Sequence, residues 1–272
     1  MSWLSSQFST RVIVLIPIAI AINIVLGFTV QKVLQLPIYV DSIGTILVGV
    51  LAGPIPGAIT GALSNIIWQY APGIGPGSNI GPFAITAAVI GLLAGLWGQL
   101  GIYRPRPANG PRLILATLVA VAVIVVLAWR IYTSPAYGDP INGYPTWVYA
   151  AIVGVGVVAA VLVAAFIFLR RDAAGAYVAI AGAITGIVAA IVSAPIAAVV
   201  YGGVTGSGTD LIVLALRQGG ADVYNASLGQ GLFSDPIDKT ITSFVVFIVL
   251  ASLSTRFLAR FPLGERIAPS GA

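Results

Sequence analysis

An all-helical protein embedded in a membrane is the fold class this sequence predicts, and three observations predict it. Hydrophobic residues fill 58% of the 272 positions and charged residues only 8%, where an ordinary soluble domain carries about a quarter charged. The mean hydropathy of +1.03 is the opposite of what a disordered chain shows. The apolar residues fall in runs near the ~20 residues that a helix needs to cross the hydrocarbon core. Cysteine and histidine are absent, which removes disulfides, thiolate nucleophiles, zinc sites built on those residues and the usual proton shuttles. Thirteen basic residues spread over the chain make no patch for nucleic acid, despite a pI near 9.7. No cofactor, metal or nucleic-acid partner is therefore expected.

The elements follow in order. The first span runs from Val12 to Val33, interrupted chemically only by Pro17 and Asn23. The stretch from Asp41 to Ala71 is too long for one span and is cut by Gly53-Pro54-Ile55-Pro56. It reads as a tight helical hairpin, Ser42–Ala52 then Gly57–Tyr70, whose short arms are tilted or partly re-entrant. After a Gly/Pro-rich loop over 71–78 comes a span from Ile80 to Gly101, then a polar connector from Arg104 to Arg112. Leu113–Tyr132 and Trp147–Leu169 are two further spans around a turn-rich loop, and Ala174–Tyr201 is the next. A long loop over 201–237 with two short helices leads to the last span, Ile241–Leu258. Eight hydrophobic elements put both termini on one side. The first run is too long for a cleavable signal sequence and lacks a small-residue cleavage site, so it reads as a retained helix.

Charge fixes the side. With a cytoplasmic N-terminus, the inner face holds Arg11, Arg104, Arg106, Arg112, Arg170, Arg171, Arg256, Arg260 and Arg266, and the outer face holds Lys32, Arg130, Arg217 and Lys239. Nine against four obeys the positive-inside rule. Six of the eight carboxylates fall outside: Asp41, Asp139, Asp210, Asp222, Asp235 and Asp238. Longer outer loops account for that, and so does polar recognition on the outer face.

Small residues mark helix seams. Gly49/Gly53, Gly57/Gly61, Gly91/Gly95 and Gly182/Gly186 stand four apart, the spacing that lets helix backbones approach in lipid. The pentapeptide Gly-Ala-Ile-Thr-Gly occurs at 57–61 and again at 182–186, and reports packing rather than chemistry.

Polar groups inside spans are costly and therefore informative. Asn23, midway along the first span, reads as an amide bonded across a helix pair. Asn65, Trp68 and Gln69 stand at i, i+3 and i+4, so one helix face presents an amide, an indole and an amide. Trp68 and Tyr70 suit a membrane-interface belt or a pocket wall. Tyr39 and Asp41 sit in the first connector, where Asp41 with Ser42 also suits a helix N-cap. Asp238 and Lys239 open the last span, where they stay near water or pair; a carboxylate there also complements the helix dipole. No enzyme constellation is present: there is no nucleophile elbow, and Gly73-Ile74-Gly75-Pro76-Gly77 lacks the lysine of a phosphate loop.

The run from Leu36-Pro-Ile-Tyr-Val-Asp-Ser to Gly53-Pro54, followed by Gly57-Ala-Ile-Thr-Gly-Ala-Leu-Ser-Asn-Ile-Ile-Trp68, resembles the substrate-binding S component of energy-coupling factor (ECF) transporters. The Ser193-Ala-Pro-Ile-Ala to Gly208-Thr-Asp-Leu region and Ser234-Asp-Pro-Ile-Asp-Lys-Thr-Ile-Thr add to the resemblance. It covers 1–103 and 174–262 of a single transmembrane domain over 1–272. It implies a six-helix bundle with cytoplasmic termini, here carrying an inserted hairpin over 112–169, in the cytoplasmic membrane of a prokaryote. A vitamin-like or nucleobase-like nutrient would bind at the outer face under the loops 35–42, 70–80 and 202–237. The implied partners are a membrane T component and two cytoplasmic ATPase subunits, so no catalysis is expected of this chain.

Tyr39, Asn65, Trp68, Gln69 and Asn79 are the expected pocket residues, with Asp41 and Asp238 behind them; the aromatics would stack on a planar ring and the amides would orient it. The family's small-residue docking patch on helix 1 maps, in altered form, to Ala19, Asn23 and Gly27. A membrane sensor that binds a ligand without transporting it is the alternative, and a channel or secondary carrier ranks below both because polar residues along the midplane are few.

Overall fold

The computed structural model describes residues 7–36, 38–73, 80–132 and 146–269, and among them every regular element is helical. Helix α1 (Thr10–Phe28) is capped by Ser9, whose hydroxyl accepts from the Val12 amide. It widens into a π-helical turn over Thr29–Val33. Helices α2 (Ile43–Ala52) and α3 (Pro54–Tyr70) form the expected hairpin. Gly53 joins them at φ 116°, a conformation closed to other residues, and Pro54 starts α3 where its missing N–H costs nothing. At ~1.5 Å per residue α2 is about half a bilayer long. A 3-10 turn at Gly81–Phe83 leads into α4 (Ala84–Gln99). Helices α5 (Pro111–Tyr132) and α6 (Thr146–Arg170) follow, then α7 (Ala174–Tyr201), which ends on the left-handed Gly202. The short α8 (Asp210–Gln218), the 30-residue α9 (Val223–Ser252) and the turns α10 (Thr255–Leu258) and α11 (Gly264–Ile267) complete the chain.

Helix α9 corrects the sequence reading at both ends. It begins 18 residues before Ile241, with Asp222 as N-cap, and it stops at Ser252 rather than Leu258. Pro236, which suggests a helix start, lies in the interior of α9. Asp235, Asp238 and Lys239 therefore sit mid-helix and buried, not at a water boundary. Among the described residues, three helices are long and apolar enough to cross a membrane: Thr10–Val33, Gly81–Gln99 and Ala174–Tyr201.

Glycine seams hold the bundle together. A Cβ at Gly57 would lie 2.5 Å from the Gly91 carbonyl, and one at Gly95 would lie 2.2 Å from Pro54, so α2, α3 and α4 meet backbone to backbone. The second copy of the pentapeptide does the same for α7 and α9: Cβ atoms at Gly182 and Gly186 would meet the α9 backbone between Asp235 and Thr240. In lipid such contact replaces the hydrophobic drive that water would supply. An aromatic cluster of Phe166, Phe244 and Phe247, with ring centroids 5.6–5.9 Å apart, packs α6 on α9.

The two connectors flanking 112–169 pair with each other. Ala108 N donates to the Arg171 carbonyl at 2.8 Å, Ala173 N to that of Arg106 at 2.9 Å, and Asp172 accepts from Arg106 N and Ala174 N. Nearby, Arg11 reaches the Arg260 carbonyl, Arg104 that of Ala268, and Arg266 that of Gln99. The start of α1, the end of α4 and the last described turns thus share one arginine-rich end of the bundle.

Candidate functional site

At the opposite end lies a cavity with about 80 Å³ open to the centres of water-sized spheres, several times the ~10–15 Å³ that one water needs. It is walled by the turn after α1, the 38–42 connector, α3, α4, α7, the 202–209 loop and α9. Its polar architecture grows from one residue. Asp238 is fully buried, accepts from Tyr39 N at 3.2 Å and Val40 N at 2.7 Å, and pairs with Lys239. That grip holds Val40 at φ 54°, a conformation that costs a β-branched residue on the order of 1–3 kcal/mol.

Lys239 also stands 3.5 Å from Asp41, which accepts from the Gln31 amide at 3.0 Å. Burial pushes the Asp41 carboxyl above its ordinary value, and Lys239 opposes that shift. The Tyr39 phenol bonds Thr209 at 3.1 Å and accepts from Gln230 at 3.0 Å; burial raises its pKa as well. Lys32 closes the other side, donating to the Gly206 carbonyl at 2.8 Å. The first connector and the 202–209 loop are so tied into one rim.

Four side chains on the cavity wall behave differently. Ser42, Asn65, Thr86 and Asp235 all line it and are only 3–7% exposed. The Ser42 and Thr86 hydroxyls are buried with no hydrogen-bond partner. The Asn65 amide and the Asp235 carboxyl form no hydrogen bond or close ion pair among the described residues, Asp235 meeting the charge of Lys239 only at longer range. A buried polar group without a partner costs about 1–3 kcal/mol, and such groups in a native fold call for an explanation. Here a carboxylate, an amide and two hydroxyls face one space. Around them are Ile80, Ile90 and Phe83, whose ring stacks on Tyr201 at 5.4 Å. A wall that is mostly apolar with a few convergent polar groups is how small-molecule sites are built.

The expected site residues divide. Tyr39, Asp41 and Asn65 line the cavity. Trp68 does not: it is 1% exposed and packs on Gly27, Ile20, Ile24 and Ile80. Gln69 serves the fold, accepting from Gly81 N at 2.6 Å. Asp238 lies behind the wall as the clamp just described, and Asn79 lies outside the described residues. Ser42 occupies the N-cap position of α2 but makes no capping bond.

The residues expected to form a docking patch on helix 1 pack within the bundle. Ala19 lies against Gly44, and Gly27 against Trp68. Asn23 donates to Thr45 and Ser64 at 2.8 and 2.9 Å and accepts from Gly44 N at 2.7 Å. All three residues are buried against neighbouring helices in this structure.

Sequence reasoning passed over Thr86, Phe83, Gln230 and Asp235. The Asp235-x-x-Asp238 spacing signals two carboxylates on neighbouring faces of one helix, but only once α9 is known to run through Pro236. Compared with protein-family models, curated proteins and solved structures, the chain gives no match. No group of metal-binding side chains able to hold an ion is found among the described residues.

Proposed function

We propose that this protein is the substrate-binding subunit of an ECF-type importer, which captures a small nutrient at the outer face of a prokaryotic cytoplasmic membrane. In this reading 1–103 and 174–262 are a six-helix core with cytoplasmic termini, and 112–169 is an insertion. The acidic, cavity-bearing end faces outward and the arginine-rich end faces the cytoplasm, as the positive-inside rule requires. Transport would depend on a membrane T component and two ATPase subunits, and this chain contributes binding rather than catalysis.

One observation carries the reading: four buried polar side chains, two of them hydroxyls with no hydrogen-bond partner, converge on a cavity between the connectors. Packing alone does not reward that arrangement, whereas a bound polar solute satisfies it. The resemblance in the Leu36–Trp68 segment and around Ser234–Thr242 supplies the class of transporter.

Native mass spectrometry of the tagged full chain, purified from its own host in mild detergent, tests it. Co-purification with one further membrane subunit and two ATPase chains, together with a retained small mass, is the expected result. Arrival with a kinase instead would make the protein a sensor.

A further inference from the structure

Resting on the reading of this cavity as the solute site, we infer that its ligand is an organic cation whose protonated nitrogen pairs with Asp235. The charges that face or back the cavity come from five places. They are Lys32 after α1, Asp41 in the first connector, Asp210 at the start of α8, and Asp235 and the Asp238–Lys239 pair on α9. Both cations are already engaged. Lys239 is shared between Asp238 and Asp41, and Lys32 is held by the carbonyls of Thr205 and Gly206. Asp238 and Asp210 are satisfied by backbone amides, Asp210 taking those of Thr205, Gly206 and Ser207. Of these carboxyl groups, only Asp235 has neither a hydrogen bond nor a close ion pair among the described residues, the charge of Lys239 reaching it only at longer range, although it is 5% exposed and on the wall.

Four acidic side chains face or back this space and both ammonium groups are engaged, so an anion entering it finds no free cation to pair with. A bare metal ion is disfavoured because the described residues hold no suitable ligand group. The apolar remainder of the wall, with the Phe83 ring among it, suits a compact flat body. The neutral donors and acceptors of Asn65, Ser42 and Thr86 are left to orient that body. Protonated amino-heterocycles combine these properties: one delocalised positive charge, in-plane N–H donors and an apolar face.

The probes are 4-aminopyridine, which is protonated at neutral pH, its neutral isostere aniline, and benzoate. Each is titrated by ligand-observed NMR onto the detergent-solubilised full chain, with empty micelles subtracted. Wild type should bind the cation at least about tenfold tighter than aniline, because a charge-assisted hydrogen bond in a buried site exceeds the ~1.4 kcal/mol that tenfold represents. In Asp235→Asn that preference should shrink to within about threefold. The isostere comparison on wild type carries the test even where the variant does not accumulate. Aniline or benzoate binding wild type as tightly as the cation overturns the inference and leaves the binding site standing. A cation preference unchanged in folded Asp235→Asn overturns the role of Asp235. Saturation by none of the three overturns both the inference and the solute-site reading beneath it.

Discussion

Replacing Asp238 with alanine removes a clamp and half of an ion pair in one step. Breaking a buried pair by deleting one partner costs about 3–5 kcal/mol, because the remaining charge stays buried. Here Lys239, 2% exposed, would keep Asp41 at 3.5 Å as its one close ion pair, with Asp235 at longer range. The amides of Tyr39 and Val40 would also lose their acceptor, at about 1–3 kcal/mol each if they stayed buried. They need not stay so: freed of Asp238, Val40 can leave φ 54° and recover its strain of similar size. The two local terms roughly cancel, and the pair dominates. At about 2–4 °C per kcal/mol for a chain of this order, the midpoint of thermal unfolding should fall by ~6–20 °C. Intrinsic fluorescence in detergent reads it, since the chain has five tryptophans. A double-mutant cycle separates the two roles. Asp238→Leu with Lys239→Met should be less destabilised than the two single variants together, because no lone charge remains, yet it should still bind poorly because the 38–41 connector is unclamped. Strict additivity in stability, or full binding by the double variant, would refute this account.

Trp68→Ala is expected to lower stability by about 3–5 kcal/mol, the usual cost of emptying a buried aromatic site, while saturating ligand restores most of the lost binding; a direct loss of affinity in a fully folded variant would return Trp68 to the pocket. Gly186→Ala drives a Cβ to 2.4 Å from the backbone of Asp235 and Pro236, at about 1–3 kcal/mol or more. Because α7 and α9 both carry wall residues, thermal unfolding and ligand titration should both register it. Replacing 110–169 by two glycines should leave ligand affinity unchanged, since Ala108 and Arg171 already pair and no described residue of that stretch lines the cavity. Asp222 is held below the ordinary carboxylate range by the amide and side chain of Asn225. A depressed folded value means that its capping is present above the ordinary range and fades as pH falls through that lower value. The protection of amides in the first turn of α9, taken relative to their intrinsic exchange rates, should therefore fall in acid for wild type but not for Asp222→Asn, which keeps an oxygen acceptor at every pH.

Most helices were legible because composition and punctuation carry them. Gly53-Pro54 marks the α2–α3 hairpin, and the apolar run over 174–201 gives α7 to the residue. What failed has one physical origin. A proline followed by charged residues suggests a helix start in water, and that pattern hid the burial of Asp235, Asp238 and Lys239 inside α9. Burial of such charges depends on partners nearly two hundred residues away, the Tyr39 and Val40 amides, and no local window contains them. Asn65 was found because an amide in an apolar helix is conspicuous. Thr86 was not, because a threonine that spends its hydroxyl on a backbone carbonyl looks the same in sequence as one that does not. Trp68 lies off the cavity wall for a related reason: helical spacing assigns a face, but not which neighbour covers it, and Gly27 is the neighbour that made room.

The α7–α9 seam has a mechanical consequence. Sliding one helix past the other by a single turn, ~5.4 Å, would bring Ala190 to the place of Gly186 or Val178 to that of Gly182. Either move sets a methyl carbon against backbone that stands 2.4–2.7 Å away. Ratcheting is thus blocked in both directions, and the two principal walls of the cavity travel as one rigid block. On the proposed reading, a solute seated between them is not released by a one-turn slide of those walls; it leaves when the connectors over it yield, or it is carried along when the whole bundle reorients.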